Sequence, residues 1–160
     1  MNAARRKLTF DSLDQVMPDV DRLLLEHVTV GDWSLGQICN HLARGIRNTV
    51  EDCPERAPWL VRKTIGPLIL KRMLRTGRWP TGIRLPKQYE PKPGADARAE
   101  AEALRIALQV LTSHSGPLAD HPFAGPIPRH EWERFHCIHC AHHLSFALPA
   151  GPECVNSPQQ

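Results

Sequence analysis

No stretch of this chain is both long enough and uncharged enough to span a bilayer, and its basic N-terminus, Met1 to Phe10, lacks the apolar run of a secretory signal. Aromatic residues make up only 6% of the 160 residues. The few that interleave with basic residues, Trp59, Trp79 and Tyr89, form no recognised nucleic-acid motif. Neither a phosphate-cradling glycine loop nor a nucleophile elbow is present, which sets aside P-loop and Ser-His-Asp chemistry. Five cysteines, an odd number without framework spacing, point to reduced thiols rather than a disulfide scaffold. The expectation is a soluble, cytoplasmic protein with no membrane partner and with nucleic acid disfavoured.

What the chain has instead is helical periodicity. With 41% hydrophobic residues it fits a single domain over residues 1–149, large enough to bury a core. Ser12-Leu-Asp-Gln15 has capping-box spacing, and Leu13, Val16, Val20, Leu23 and Leu24 recur at helical intervals after it, so helix one spans 12–26, with Pro18 as a blemish that can shift its start. Ser34-Leu-Gly-Gln37 opens helix two, 34–50, whose apolar stripe is Leu35, Ile38, Leu42, Ile46 and Val50. Ala97, Ala101, Leu104, Leu108 and Leu111 mark helix three, 96–112, and Pro128 suits the entry of helix four, 129–146. No credible strand is seen. The fold expected is all-α, a four-helix bundle, with a disordered proline-bearing tail over 150–160.

Between helices two and three lies a long Pro-rich basic insertion. Prolines and glycines from Pro54 to Gly94 exclude long helices there, although Trp59 to Ile65 and Leu68 to Leu74 suit about two turns each. Trp79 to Pro93 reads as extended loop. Ten Lys/Arg stand against two acidic residues between Cys53 and Lys92, half of the twenty basic residues in a chain whose net charge is +3. Such asymmetry suits an anion, nucleic acid or an anionic membrane, and its plainer reading is a solvated basic loop.

Four of the nine histidines fall within eight residues, His136 to His143. On a helix, where each residue advances about 100°, His139 and His143 are one turn apart on one face, His136 shares their stripe, and His142 is rotated off it. A pair of imidazoles at i and i+4 supplies part of a transition-metal site. A further ligand must come from elsewhere, and His41, beside the apolar stripe of helix two, is the partner this requires. Cys137 and Cys140 offer a different reading, structural zinc or redox chemistry, but the signal is weak: there is one CxxC, no second pair and no βαβ context. Cys39, Cys53 and Cys154 read as packing or tail residues.

Five stretches then carry a resemblance: Gly31-Asp-Trp-Ser-Leu-Gly-Gln-Ile-Cys-Asn-His-Leu42, Gly82-Ile-Arg-Leu-Pro86, His121-Pro-Phe123, Glu131-Trp132 and His139-Cys-Ala-His-His-Leu-Ser-Phe146. Together they resemble the DinB/YfiT-like superfamily of bacterial four-helix metalloproteins, and an uncharacterised subgroup within it. The resemblance implies a divalent metal ion held by His41, His139 and His143, the same three residues that the spacing selects. It also implies kinship with thiol-dependent transferases or isomerases that use bacillithiol, mycothiol or glutathione, and with homodimers. The long basic insertion departs from the simpler superfamily pattern.

Three histidine ligands leave coordination positions open, the arrangement of a catalytic rather than a closed structural site. The function expected is a metal-dependent enzyme, with zinc or nickel favoured over iron or manganese, activating a small thiol or water for attack on a small-molecule substrate. His136 and His121 are candidates for supporting or proton-transfer roles. The alternative is a non-catalytic module, stapled by metal and contacting an anion or nucleic acid through its basic insertion.

Overall fold

The computed structural model describes residues 5–53, 56–80 and 90–150. The chain is mostly helical. One tight turn, Leu13–Gln15, leads into α1 (Val16–Leu25), and α2 (Leu35–Glu51), α3 (Trp59–Lys63), α4 (Ile65–Thr76), α5 (Ala97–Ser113) and α6 (Arg129–Leu144) follow. The four helices read from periodicity lie where expected to within a residue or two at nearly every end. Most of the Trp79–Pro93 loop and all but the first residue of the 150–160 tail fall outside the described residues.

Two local expectations are corrected. Ser12 makes no side-chain cap; Gln15 instead reaches back to accept from the Asp11 N–H at 2.9 Å. Pro18 then stands third in α1, within the first turn, where a backbone N–H has no intrahelical partner to lose. The second correction is a small antiparallel sheet of β1 (His27–Thr29) and β2 (Ala147–Pro149), with Val28 opposite Leu148. Three residues are too few to show an alternating pattern, so the pairing follows from where the ends of α1 and α6 bring the chain.

The capping box at Ser34 does form: the Gln37 N–H donates to Ser34 Oγ at 3.2 Å and the Ser34 N–H to Gln37 Oε1 at 3.0 Å. A cap of this kind contributes about 1 kcal/mol and sets where α2 begins. α5 starts likewise, with Asp96 Oδ1 accepting from the Ala99 N–H. α2 packs along α5 and also meets α6, and Val16, Val20, Leu23, Leu35, Ile38, Leu42, Ile46, Leu104, Leu111 and Leu144 are fully enclosed between α1, α2, α5 and α6. Each buried aliphatic side chain of this size contributes roughly 1.5–3 kcal/mol.

A second apolar cluster, Leu70, Met73, Ala124 and Ile138, ties α4 to the other side of α6. α6 is therefore enclosed by both clusters, and every residue from His136 to Ala141 is buried. A helix covered on all sides brings its polar residues into the interior whatever its amphipathic pattern.

Close approach at the start of α2 depends on one glycine. A Cβ at Gly36 would lie 2.1 Å from the Ala95 carbonyl oxygen, whereas one at Gly45 would sit 3.6 Å from the His139 ring. Gly36→Ala should therefore cost about 1–3 kcal/mol of unfolding free energy. Gly45→Ala, free of clash in mid-helix, should gain about 0.5–1 kcal/mol. Urea titrations of the two variants check this opposite pair of signs.

Candidate metal centre

α6 presents His139 and His143 one turn apart, and α2 crosses it so that His41 faces both. The Nε2 atoms of His41 and His139 are 3.0 Å apart, and one ligand nitrogen from each of the three histidines lies within 4.8 Å of the others. Their rings meet edge to face, with centroids 4.6 Å apart for His41 and His143 and 4.8 Å for His139 and His143. Gly45, one turn beyond His41, leaves the space beside the His139 ring.

Two tryptophans wall the cluster. Trp33 stacks on His143 at 5.3 Å and tilts against His41, while Trp79 stacks on His139 at 4.6 Å. Neither was selected from sequence. Trp33 carried a usable signal, since it immediately precedes the capping serine, the position from which an apolar side chain folds back over the first turns of a helix. Trp79 carried none, because it follows the end of α4 at Gly77 in a segment without periodicity.

Burial favours the neutral form of the two imidazoles on α6. His139 is held well below its ordinary pKa by desolvation, then by His143 and His41, and His143 by desolvation, then by His41 and His142. Neutral imidazole is the form that offers a lone pair to a metal ion. A tetrahedral ion with nitrogen ligands at about 2.0–2.1 Å separates those nitrogens by ~3.3 Å, within the range set by the 3.0 Å contact and the 4.8 Å span. His139 Nδ1 is also buried without a hydrogen-bond partner among the described residues. The three residues therefore fit a divalent cation after small side-chain adjustments.

His136 shares their stripe but is occupied elsewhere. The Thr49 hydroxyl, 3.2 Å from the Gly45 carbonyl, is hydrogen-bonded at 2.8 Å to Nε2 of His136, whose ring stacks on Trp132. Desolvation, aided by His121, lowers the His136 pKa to about 3. His121 closes a tight loop, its backbone exchanging hydrogen bonds with Gly125, and its Nδ1 accepts from the Phe123 N–H at 3.2 Å. Burial brings its pKa down to about 4. His142, off the stripe as expected, stacks on Trp79 and receives a hydrogen bond from Arg5.

Cys137 and Cys140 lie within the main core. Desolvation pushes the Cys137 thiol up to about 11 and that of Cys140 higher still, so both are protonated at neutral pH. Among the described residues the one cluster of potential ligands is the three histidines, and neither cysteine joins it. Both cysteines pack among the core side chains.

Beside the histidines lies a cavity of about 240 Å³. His41 and His139 form one part of its wall and His121, Trp132 and Phe135 another; α2 contributes Arg44, Gly45 and Asn48, and the α3–α4 segment Val61, Leu70 and Met73. Most of these surfaces are apolar, with the imidazoles, a guanidinium and an amide as the polar exceptions.

A family model described as "Protein of unknown function (DUF1569)" matches residues 2–150. No curated protein and no solved structure matches the chain.

The lowered pKa values of His121 and His136 set a pH dependence. Because their folded values, about 4 and about 3, lie below the ordinary 6.5, the unfolded chain takes up protons first as pH falls. Their contribution is complete above pH 6.5 and is lost between there and the folded values, roughly 2 kcal/mol for each group by pH 5. Thermal melts of metal-free protein from pH 8 to pH 5 should show a steep fall in Tm. The fall should be shallower in His121→Phe.

Proposed function

The chain belongs to the DUF1569 family, and we propose that it is a divalent-metal-dependent enzyme with the four-helix architecture of the DinB/YfiT-like superfamily, activating a small thiol or water for attack on an electrophile. The observation that carries this reading is the union of two features: three imidazoles converging from two helices, and an apolar cavity that His41 and His139 help to line. A metal staple needs the first but not the second.

In this reading His41, His139 and His143 hold the ion, zinc or nickel in preference to iron or manganese. When bound, it would lower the pKa of a coordinated thiol or water and so supply nucleophile at neutral pH. The chain's own residues do the rest. Trp33 and Trp79 restrict the imidazoles to the facing arrangement and keep bulk water off their rings. Val61, Leu70, Met73 and Phe135 favour an apolar substrate body in the cavity.

Arg44 and Asn48 lie along the same face of α2 as His41, giving the cavity a cation and an amide for the carboxylates of a thiol such as glutathione or bacillithiol, or for the hydroxyls of mycothiol. His121, another lining residue of the cavity, would serve in proton transfer on this reading. His136 orients α6 against Thr49 of α2. The protein works on this reading in the cytoplasm, as a single domain that pairs into homodimers, on a small-molecule substrate.

Elemental analysis of the purified protein tests the site: close to one divalent ion per chain is expected, with most of it lost in His41→Ala, His139→Ala or His143→Ala. Near-stoichiometric metal in His41→Ala would remove that residue from the centre. The chemistry is tested by cobalt substitution, where adding glutathione, bacillithiol or mycothiol should produce a sulfur-to-metal charge-transfer band that persists in Cys140→Ala. If simple anions perturb the spectrum and no thiol does, metal-assisted hydrolysis or a structural metal replaces the thiol reading.

A further inference from the structure

The outer side of α3 and α4 leaves bulky apolar side chains in water. Trp59 and Leu60 are 69% and 64% exposed, and Ile65 and Leu68 are 57% and 69% exposed. Single exposed apolar residues need no explanation, but these four fall within ten consecutive positions, with Ile69 and Phe123 also exposed nearby. α4 is amphipathic and already has its partner on the inner side, where Gly66, Leu70 and Met73 are buried. Its outward stripe is apolar in the first turns and cationic beyond them, at Lys71, Arg72 and Arg75, with Arg78 following the helix.

Charge in this region has one sign. From Arg56 to Pro80 the chain carries seven Lys/Arg and no Asp/Glu, in a protein whose net charge is only +3. Arg56 and Arg62 are matched by Asp52 and Asp120. Lys63, Lys71, Arg72, Arg75 and Arg78 form no ion pair among the described residues.

We propose that α3 and α4 dock the protein onto the surface of an anionic phospholipid bilayer, with Trp59, Leu60, Ile65 and Leu68 entering the headgroup boundary and the five cations holding lipid phosphates and carboxylates. Exposed apolar residues flanked by unpaired cations are the composition of an interfacial helix. Two other occupants fit less well. A second copy meeting this face about a twofold axis would set the same five cations against themselves. Nucleic acid would gain from the cations but nothing from exposed leucine and isoleucine.

No described helix is long and apolar enough to cross a membrane, so the contact lies on the surface. Counting charges alone made this stretch a solvated basic loop; the exposed apolar residues between the charges are what that reading omits. Val61, Gly66, Ile69 and Met73 also wall the cavity, so docking would bring the cavity's outer wall against the bilayer.

Cosedimentation of the full chain with vesicles tests the proposal. The protein should pellet with phosphatidylcholine mixed with phosphatidylglycerol and not with phosphatidylcholine alone, and added salt should release it. Each cation near an anionic surface contributes roughly fivefold to partitioning, so Lys71→Glu with Arg75→Glu should weaken binding by more than about tenfold. Leu60→Glu with Leu68→Glu should weaken it comparably, and circular dichroism should be unchanged in both variants because all four residues are exposed. Equal pelleting of the parent and both variants, or no preference for the anionic vesicles, overturns the proposal. So does retention on duplex DNA without vesicle binding, or a dimer that Leu68→Glu dissociates.

Discussion

Complete burial of α6 from His136 to Ala141 is the constraint on which the rest depends. Taking a titratable group out of water favours its neutral form, and the consequence differs between imidazole and thiol. For His139 and His143 the neutral form carries the free lone pair, so burial prepares them as ligands. For Cys137 and Cys140 the neutral form is protonated, so burial silences them. What separates HxxxH from CxxC in the same two turns of helix is convergence: His41 meets His139 and His143, and no other potential ligand among the described residues meets the cysteines in a group of three.

The position of α2 turns this burial into a site. Its start is set by the Ser34 capping box and by the absence of a side chain at Gly36, which lets the Ala95 carbonyl approach. From there His41 falls seven residues along, opposite the His139 ring, with Gly45 leaving room one turn later. Trp33, just before the cap, and Trp79, beyond α4, close the histidines in from two sides. The chemistry attributed to the cluster therefore draws on elements distant in the chain, and the cavity beside it exists because α4 is held off α2 by its own apolar contacts with α6.

α3 and α4 face two ways. Inward, Gly66, Leu70 and Met73 complete the second apolar cluster and the cavity wall; a Cβ at Gly66 would lie 1.6 Å from the Phe123 carbonyl oxygen, so this packing admits only glycine. Outward, the same helices concentrate cations and exposed apolar residues. The short helices that wall the cavity are thus the same ones that carry the exposed apolar and cationic face.

Helices α1, α2 and α5 were legible in the sequence because each has a period-3.6 apolar stripe, and α6 because of Pro128 at its entry and its histidine spacing, signals that depend only on neighbours in the chain. His139 and His143 were legible as a pair for the same reason: one turn of helix relates them. His41 was legible only as the partner that pair required, and the resemblance in the Gly31–Leu42 stretch pointed to it independently. The small sheet was not, since three-residue strands carry no pattern and their pairing is made by distant chain ends. Nor was the diversion of His136 to Thr49, the stacking of Trp79, or the outward exposure of Leu60 and Leu68. Periodicity tells which residues share a helix face, and those outcomes turn on what each face meets, which only the packing of helices remote in sequence decides.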